Sequence, residues 1–413
     1  MDSPSHRWYS TISPLQWRVL FAAQCGWMLD AMDVMFYAFA LNAIQAEFGL
    51  SSAEAGALAS ITLVSSALGG VLMGILADRI GRARTLMLSI LFYSLFTALT
   101  ATASSVAELI LWRLLVGIGM GGEWSAGSVL VSETWPAQHR GKAIGFMQSG
   151  WALGYIAAAV LAALTLPLFG WRALFLFGIL PAFFTLWIRK NIPEPELWRR
   201  QQKSHAVSLL SPFREAFKSP MIKTTLLASA ITTCVLFAYW GLFTWMPSFL
   251  AQPLSQGGAG LGIVKSSSWI IPMQIGAFFG YVLFGFLADR FGRRPVFVFF
   301  LFIAGLLVPV YGQMARYEVL LLLLGPFIGF FGHGYFSVFG AMLAELFPTH
   351  IRGTAQGLTY NIGRGISAAA PYTIGALADQ HGLGSALALT SAFFLAGALL
   401  MFLLPETKGM ELK

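Results

Sequence analysis

The chain is poor in charge. Only 11% of its 413 residues are Asp, Glu, Lys or Arg, while 57% are hydrophobic; soluble globular proteins carry about 25% charged residues. So few charges cannot coat that much apolar matter in water, which leaves the lipid bilayer as the solvent. Cysteine is scarce as well. Cys25 and Cys234 each sit inside an apolar run, so neither a disulfide framework nor a thiolate metal site is expected. The six histidines are scattered with no close pair, which argues against metal chemistry. A Gly-x-x-x-x-Gly-Lys-Ser/Thr phosphate loop is missing, which excludes an ATP-driven pump. No nucleophile–base pattern suggests an enzyme, and no cofactor is expected. The N-terminal stretch lacks a short apolar core with a small-residue cleavage site, so the first apolar run reads as a retained helix.

What is there is a series of apolar stretches of about 20 residues, the length that crosses a bilayer as a helix. Twelve are legible: 18–42, 54–77, 85–104, 107–132, 142–165, 170–190, 221–249, 262–287, 295–314, 318–345, 353–378 and 384–404. All are read as helices, because an open strand would leave backbone groups unpaired in lipid and no alternating pattern of barrel strands appears. The predicted fold is an all-α membrane protein of twelve transmembrane helices in two six-helix bundles: an N-terminal bundle over 1–190, a cytoplasmic linker over 191–220 and a C-terminal bundle over 221–413. The net charge of +8 has a topological source and does not point to nucleic acid. With the N-terminus inside, all but five of the 26 Lys and Arg fall on inner segments. Arg172, Lys265 and Arg316 lie outside, and Arg113 and Arg364 lie within spans. This bias places both termini in the cytoplasm of a plasma membrane, the inner membrane of a bacterium.

Two motifs occur twice. Gly74-x-x-x-Asp78-Arg79-x-Gly81-Arg82 returns as Gly285-x-x-x-Asp289-Arg290-x-Gly292-Arg293, 211 residues later. Glu133-Thr-Trp-Pro136 with Arg140-Gly141 returns as Glu345-Leu-Phe-Pro348 with Arg352-Gly353, 212 residues later. Two motifs at offsets that differ by one residue mark parallel repeats of six spans, an arrangement that places a site between the halves near mid-membrane. The glycines suit tight turns, and the acids can accept bonds from the arginines or cap a helix. Asp78, Arg79, Arg82, Glu133, Arg140, Asp289, Arg290, Arg293, Glu345 and Arg352 are therefore expected to form a cytoplasmic gate that parts as the halves rock.

These duplicated loops are what one sees in the major facilitator superfamily, and the chain resembles it over its whole length. Arg113-x-x-x-Gly117-x-Gly119 resembles a further motif of that family, and Pro405-Glu-Thr-Lys-Gly409 resembles the tail of sugar porters. A narrower resemblance, to the sialate:proton symporters, rests on Gln16-Trp-Arg18 with Leu29-Asp-Ala-Met-Asp33, on Gly170-Trp-Arg-Ala-Leu-Phe175 running to Arg189-Lys-Asn-Ile-Pro-Glu194, and on Thr359-Tyr-Asn-Ile-Gly363. Met120-Gly-Gly-Glu-Trp124 resembles lactate and aromatic-acid carriers. The resemblance implies the major facilitator fold and carriage of sialic acid or a short monocarboxylate.

An ionisable side chain at mid-bilayer is a functional hypothesis by default. Asp30 and Asp33 share a helix face, and either could carry a coupling proton. Glu123 reads equally as a proton carrier or as the partner of Arg113. Arg113 and His333 read as structural or relay groups. Arg364 can grip a carboxylate with two prongs, and Asn361 lies on its face. Its competing reading is an ion pair across the bundles with Asp30 or Asp33; the two are compatible if substrate displaces the acid. Gln148, Tyr155, Gln274 and Tyr360 are candidate polar lining. The Phe and Trp residues are expected mainly toward lipid or its interface. The function expected is alternating-access, proton-coupled symport of a small organic anion, a monocarboxylate or sugar acid, by a monomer. Symport of a sugar or aromatic acid, or export, is the alternative. The partners are then a small-molecule substrate, protons and the bilayer.

Overall fold

The computed structural model describes residues 12–136, 139–194, 217–218, 221–348 and 351–408. Most of the expected linker lies outside them, and the side chains of Asp78, Arg140 and Arg352 also lie outside the described set. The N-terminal half holds α1 (Pro14–Phe48), α2 (Ser52–Ile80), α3 (Arg82–Thr100), α4 (Val106–Thr134), α5 (Arg140–Leu176) and α6 (Leu180–Asn191). The C-terminal half holds α7 (Met221–Ala251), α8 (Gly262–Phe291), α9 (Arg293–Gln313), α10 (Glu318–His333), α11 (Phe336–Glu345), α12 (Arg352–Ser367), α13 (Ala369–His381) and α14 (Leu383–Met401). Among the described residues there is no strand.

Twelve predicted spans map onto these fourteen helices because three boundaries differ. α5 runs through the predicted gap between spans five and six, broken only at Gly170, whose φ of 73° and ψ of −179° are not helical. Span ten breaks at Gly334-Tyr335 into α10 and α11, and span eleven breaks at Ala368 into α12 and α13. Helix starts carry the expected caps. Ser13 with Gln16 and Ser51 with Glu54 form reciprocal capping boxes, in which a hydroxyl accepts from the third helical N–H and the third side chain reaches back. Large apolar side chains such as Leu68, Leu168, Phe183 and Leu399 face outward, as lipid requires.

The repeat is visible in the packing. α1 lies on α5, α2 on α4 and α3 on α6; in the other half α7 lies on α12, α8 on α10 and α9 on α14. The halves meet where α5 packs on α8 and where α2 packs on α13, two contacts related by the same pseudo-symmetry. The turns at Gly81 and Gly292 join their helices through a single residue, with φ of 115° and 100°. A side chain at this φ would be strained, which is why glycine stands at both places.

These turns define one face of the molecule, the motif face. Arg82 Nη2 lies 3.3 Å from Glu133, and Arg293 Nη1 lies 2.5 Å from Glu345. Both pairs tie neighbours within one half, whereas the duplicated loops suggested ties between halves. Asp289 and Arg290 are exposed. Each half adds an acid outside the two duplicated motifs. The Glu194 carboxylate accepts from the backbone N–H of Ala83 (3.2 Å) and Arg84 (3.0 Å) at the start of α3. The Glu406 carboxylate accepts from Arg293 (2.9 Å) and Arg294 (3.0 Å) at the start of α9. The signal was there: both acids follow proline, and they stand 212 residues apart.

Candidate functional site at the interface of the halves

On the face opposite the motif turns, the halves are in contact below a vestibule of about 830 Å³ lined by Asn42, Gln45, Gln252, Gln256 and Asp379, among others. The Asp379 carboxylate, on α13, accepts from the backbone N–H of Ser52 and Ala53, 2.9 Å each, at the start of α2. Gln252 Nε2 donates to Asn42 Oδ1 at 3.1 Å. Two glycines allow the approach. A Cβ at Gly56 would stand 2.3 Å from Pro371 O, and one at Gly375 would stand 2.2 Å from Ser52 O.

Deeper in, five charged side chains are enclosed. Asp30 and Asp33 of α1 are 1% exposed, Glu123 and Arg113 of α4 2%, and Arg364 of α12 3%. No carboxylate oxygen of the three acids makes a close, well-aligned hydrogen bond among the described residues, and neither does Nε of either arginine; Thr97 stands near Asp33 and Tyr93 near Glu123 at longer reach. The charged groups act on one another by charge at longer range. Asp30 of the N-terminal half faces Arg364 of the C-terminal half, Asp33 faces Asp30 and Arg113, and Glu123 faces Asp30 and Asp33. The Arg113 guanidinium lies 4.7 Å from the Tyr37 ring centroid. A cavity of about 20 Å³ bounded by Arg113, Tyr37, Thr62, Trp240 and Thr244 lies beside it.

The sequence-predicted lining divides. Tyr360 is within electrostatic reach of Arg364 and Asp30. Asn361 Nδ2 donates to Gly357 O at 2.9 Å, and its Oδ1 is turned toward Gly70 of α2, so it lies at the interface. Tyr155 donates to Phe243 O across the halves at 2.8 Å. Gln148 Nε2 reaches Phe336 O across the halves at 3.4 Å. Gln274 of α8 is fully buried with neither amide atom hydrogen-bonded among the described residues. His333 sits in an aromatic box, with ring centroids 4.1 Å from Phe243, 5.1 Å from Tyr239 and 6.0 Å from Tyr281. Its Nδ1 lies 3.1 Å from Gly329 O.

The tryptophans correct an expectation. Trp27, Trp151, Trp240 and Trp245 are buried between helices and do not face lipid, while the buried Trp135 and Trp171 stand at the end of α4 and at the Gly170 break of α5, where Trp135 Nε1 donates to Gln16 O and Trp171 Nε1 to Glu47. Trp27 and Trp151 lie 4.7 Å apart, Trp151 and Trp240 5.9 Å. Trp151 Nε1 also donates to the Tyr239 hydroxyl, whose oxygen is 3.4 Å from His333 Nε2. This chain crosses the halves. A bundle interface is enclosed on all sides, so the large rings that fill it have the same composition as a lipid-facing belt.

Two six-helix bundles closed over a charged centre are the architecture of a multi-pass membrane transporter of small molecules. The profile of the Major Facilitator Superfamily matches residues 25–273 and 260–412, and the chain belongs to that superfamily. It is 37% identical over 416 residues to a probable 4-methylmuconolactone transporter of Cupriavidus pinatubonensis, covering 98% of this chain and 94% of that one. It is 30% identical over 395 residues to a sialic acid transporter of Escherichia coli, covering 95% of each. Among solved structures it resembles a D-xylose-proton symporter with a TM-score of 0.77 at 19% identity, covering 96% of this chain and 99% of that chain.

Proposed function

We propose that this chain is a proton-coupled symporter of a small organic anion. The observation that carries the reading is the enclosure of Asp30 and Arg364, one from each half, in the same interface, both buried and neither fully hydrogen-bonded, within electrostatic reach of each other. Three acids face two arginines in this centre. A net charge buried in low dielectric costs several kcal/mol, so the empty centre is balanced when it holds one proton. A monoanion bound to Arg364 makes the charge uneven again and is balanced by a second proton. One proton then moves with each monoanion, and the cycle is electroneutral. Substrate and Asp30 compete for one guanidinium, which is the coupling.

The kinship with carriers of 4-methylmuconolactone and sialic acid supports an organic acid as substrate. The sugar alternative rested on the Pro405–Gly409 tail, and Glu406 of that tail is engaged as the cap of α9. Asn361, Tyr360, Gln148, Tyr155 and Gln274 serve as lining, with His333 and Arg113 as positioning groups. The motif face is cytoplasmic, with both termini on it, and the Arg–Glu pairs hold each half rigid there. The protein works as a monomer in a bacterial inner membrane, with rocking units 1–190 and 221–413 joined by 191–220.

The test is uptake into proteoliposomes under an inward proton gradient, with labelled 4-methylmuconolactone, sialic acid, lactate, benzoate and glucose. Uptake of an acid that a protonophore and Arg364→Ala each abolish is the expected result. Uptake of glucose alone contradicts it.

A further inference from the structure

The carboxylates have a second wall. α3 packs against α1, α2, α4, α5 and α6 of the N-terminal half, with Leu88, Leu91 and Leu95 on its outward side. One side of it carries Ser89, Tyr93, Ser94 and Thr97, all with no exposure. None of these four hydroxyls makes a close, well-aligned hydrogen bond among the described residues; Tyr93 stands at the edge of hydrogen-bonding reach of Glu123 and Thr97 at that of Asp33. Buried hydroxyls without partners are rare and call for an explanation. Many other buried Ser and Thr of this chain bond a carbonyl of the preceding turn, as Thr85, Thr100 and Thr232 do; Ser229 and Ser248 of α7 do not, but among the described residues only α3 gathers four such hydroxyls on one helix.

What they face is the acid cluster. Tyr93 stands in the field of Glu123, Asp30 and Asp33, Thr97 is beside Asp33, and Ser89 Oγ packs where a Cβ of Gly122 would be. From α1 the titratable groups facing this wall are Asp30 and Asp33, and Arg364 of the other half acts on Asp30 by charge. From α4 they are Glu123 and Arg113. α2 and α6 carry no charged side chain at this depth, and Tyr155 of α5 is committed to Phe243 in the other half.

The repeat supplies an internal control. α3 and α9 both begin at the arginine of the shared motif, so α3 positions map to α9 at 211 residues. Ser89, Tyr93, Ser94 and Thr97 then correspond to Phe300, Ala304, Gly305 and Val308, while Asp30 and Asp33 correspond to Gly241 and Thr244. Acids and hydroxyls occur together in one half and are absent together from the other.

We infer that the α3 face of Ser89, Tyr93 and Thr97 is the positioning wall for the coupling proton, inside the N-terminal bundle and away from the anion's arginine. The chemistry fits. A carboxyl that gains and loses a proton needs a donor when ionised and an acceptor when neutral, and a hydroxyl is both. The proton is thus handled behind α1 in one half and the anion in front of it by Arg364 of the other. This rests on the proton-coupling reading, but its test needs no substrate.

The test is an infrared pH titration of the purified protein, following the C=O band of protonated carboxyls, with Glu123→Gln to assign that residue's share. Tyr93→Phe and Thr97→Val keep side-chain volume and remove a hydroxyl. Each is expected to move the band's midpoint about one pH unit to the alkaline side, the size of one hydrogen bond to a carboxylate. Tyr311→Phe, which removes a buried unpartnered hydroxyl of α9, is expected to leave it in place. A midpoint unmoved in both α3 variants, or moved equally by Tyr311→Phe, overturns the inference. If the band moves as expected while uptake proves independent of protons, the wall stands and the symport reading fails.

Discussion

Asp379→Ala should loosen the face opposite the motif turns. The carboxylate accepts from two backbone N–H groups, at 2.9 Å each, that begin α2 in the other half. Those N–H groups have no partner in their own helix, so the bond satisfies them only while the halves touch. Asp379 is exposed, so the contribution is that of a surface helix cap, about 1 kcal/mol. That much shifts the equilibrium between closed and open forms about fivefold. Asp379→Asn keeps one acceptor oxygen and is expected to give a smaller shift. The assay uses Thr62→Cys in a chain whose Cys25 and Cys234 are replaced by serine. Thr62 is 2% exposed and borders the small central cavity, so an impermeant maleimide added to intact cells reaches it only when the halves part on that face. Labelling should be about fivefold faster in Asp379→Ala. An unchanged rate would refute the reasoning and leave Asp379 as a surface acid.

Other outcomes follow from the same contacts. Gly375→Val places atoms where Ser52 O now lies, 2.2 Å from the position of a Cβ. It should wedge the same face open, abolishing uptake and making Thr62→Cys label at its fastest rate. Glu406→Ala removes the acceptor of three backbone N–H groups, those of Arg293, Arg294 and Lys408. It should lower thermal stability by about 1 kcal/mol. Burial pushes the Glu406 carboxyl up, but the N–H bonds outweigh burial and hold it below its usual value. The stabilisation is therefore complete above the unfolded value of about 4.3 and is lost as pH falls through the lower folded value. The melting gap between wild type and Glu406→Ala should close over that window.

The spans were legible because each needs an unbroken apolar run and the bilayer sets its length. The breaks at Gly334-Tyr335 and Ala368 were not, because a helix that ends and restarts inside an apolar run leaves its composition unchanged. The duplicated motifs gave the repeat. They did not say that Arg82 and Arg293 would meet Glu133 and Glu345 within their own halves, since spacing along a chain does not fix which helix lies beside which. Glu194 and Glu406 stood in segments already singled out, but their shared role as helix caps shows only when the Pro-Glu pairs are laid on the repeat offset. In the centre, rarity did the work: Asp30, Asp33, Glu123, Arg113 and Arg364 stand out because charge inside a span is costly. The α3 hydroxyls did not stand out, because a serine or threonine in a membrane helix normally bonds its own backbone. Trp151 and Trp240 were hidden by a different ambiguity, as a ring facing lipid and a ring facing the other half look the same in sequence.

The central claim is that entry of one anion at Arg364 is coupled to entry of one proton at the acid cluster that holds Asp30. It is tested most directly by trapping a pH-sensitive dye inside proteoliposomes and adding the transported acid outside with no imposed gradient. The predicted result is an acidification of the lumen that keeps pace with anion entry, one proton for each monoanion. Asp30→Asn should lose it while still exchanging labelled for unlabelled anion. Anion entry without acidification in the wild type, or an unaltered proton-to-anion ratio in Asp30→Asn, would contradict the account.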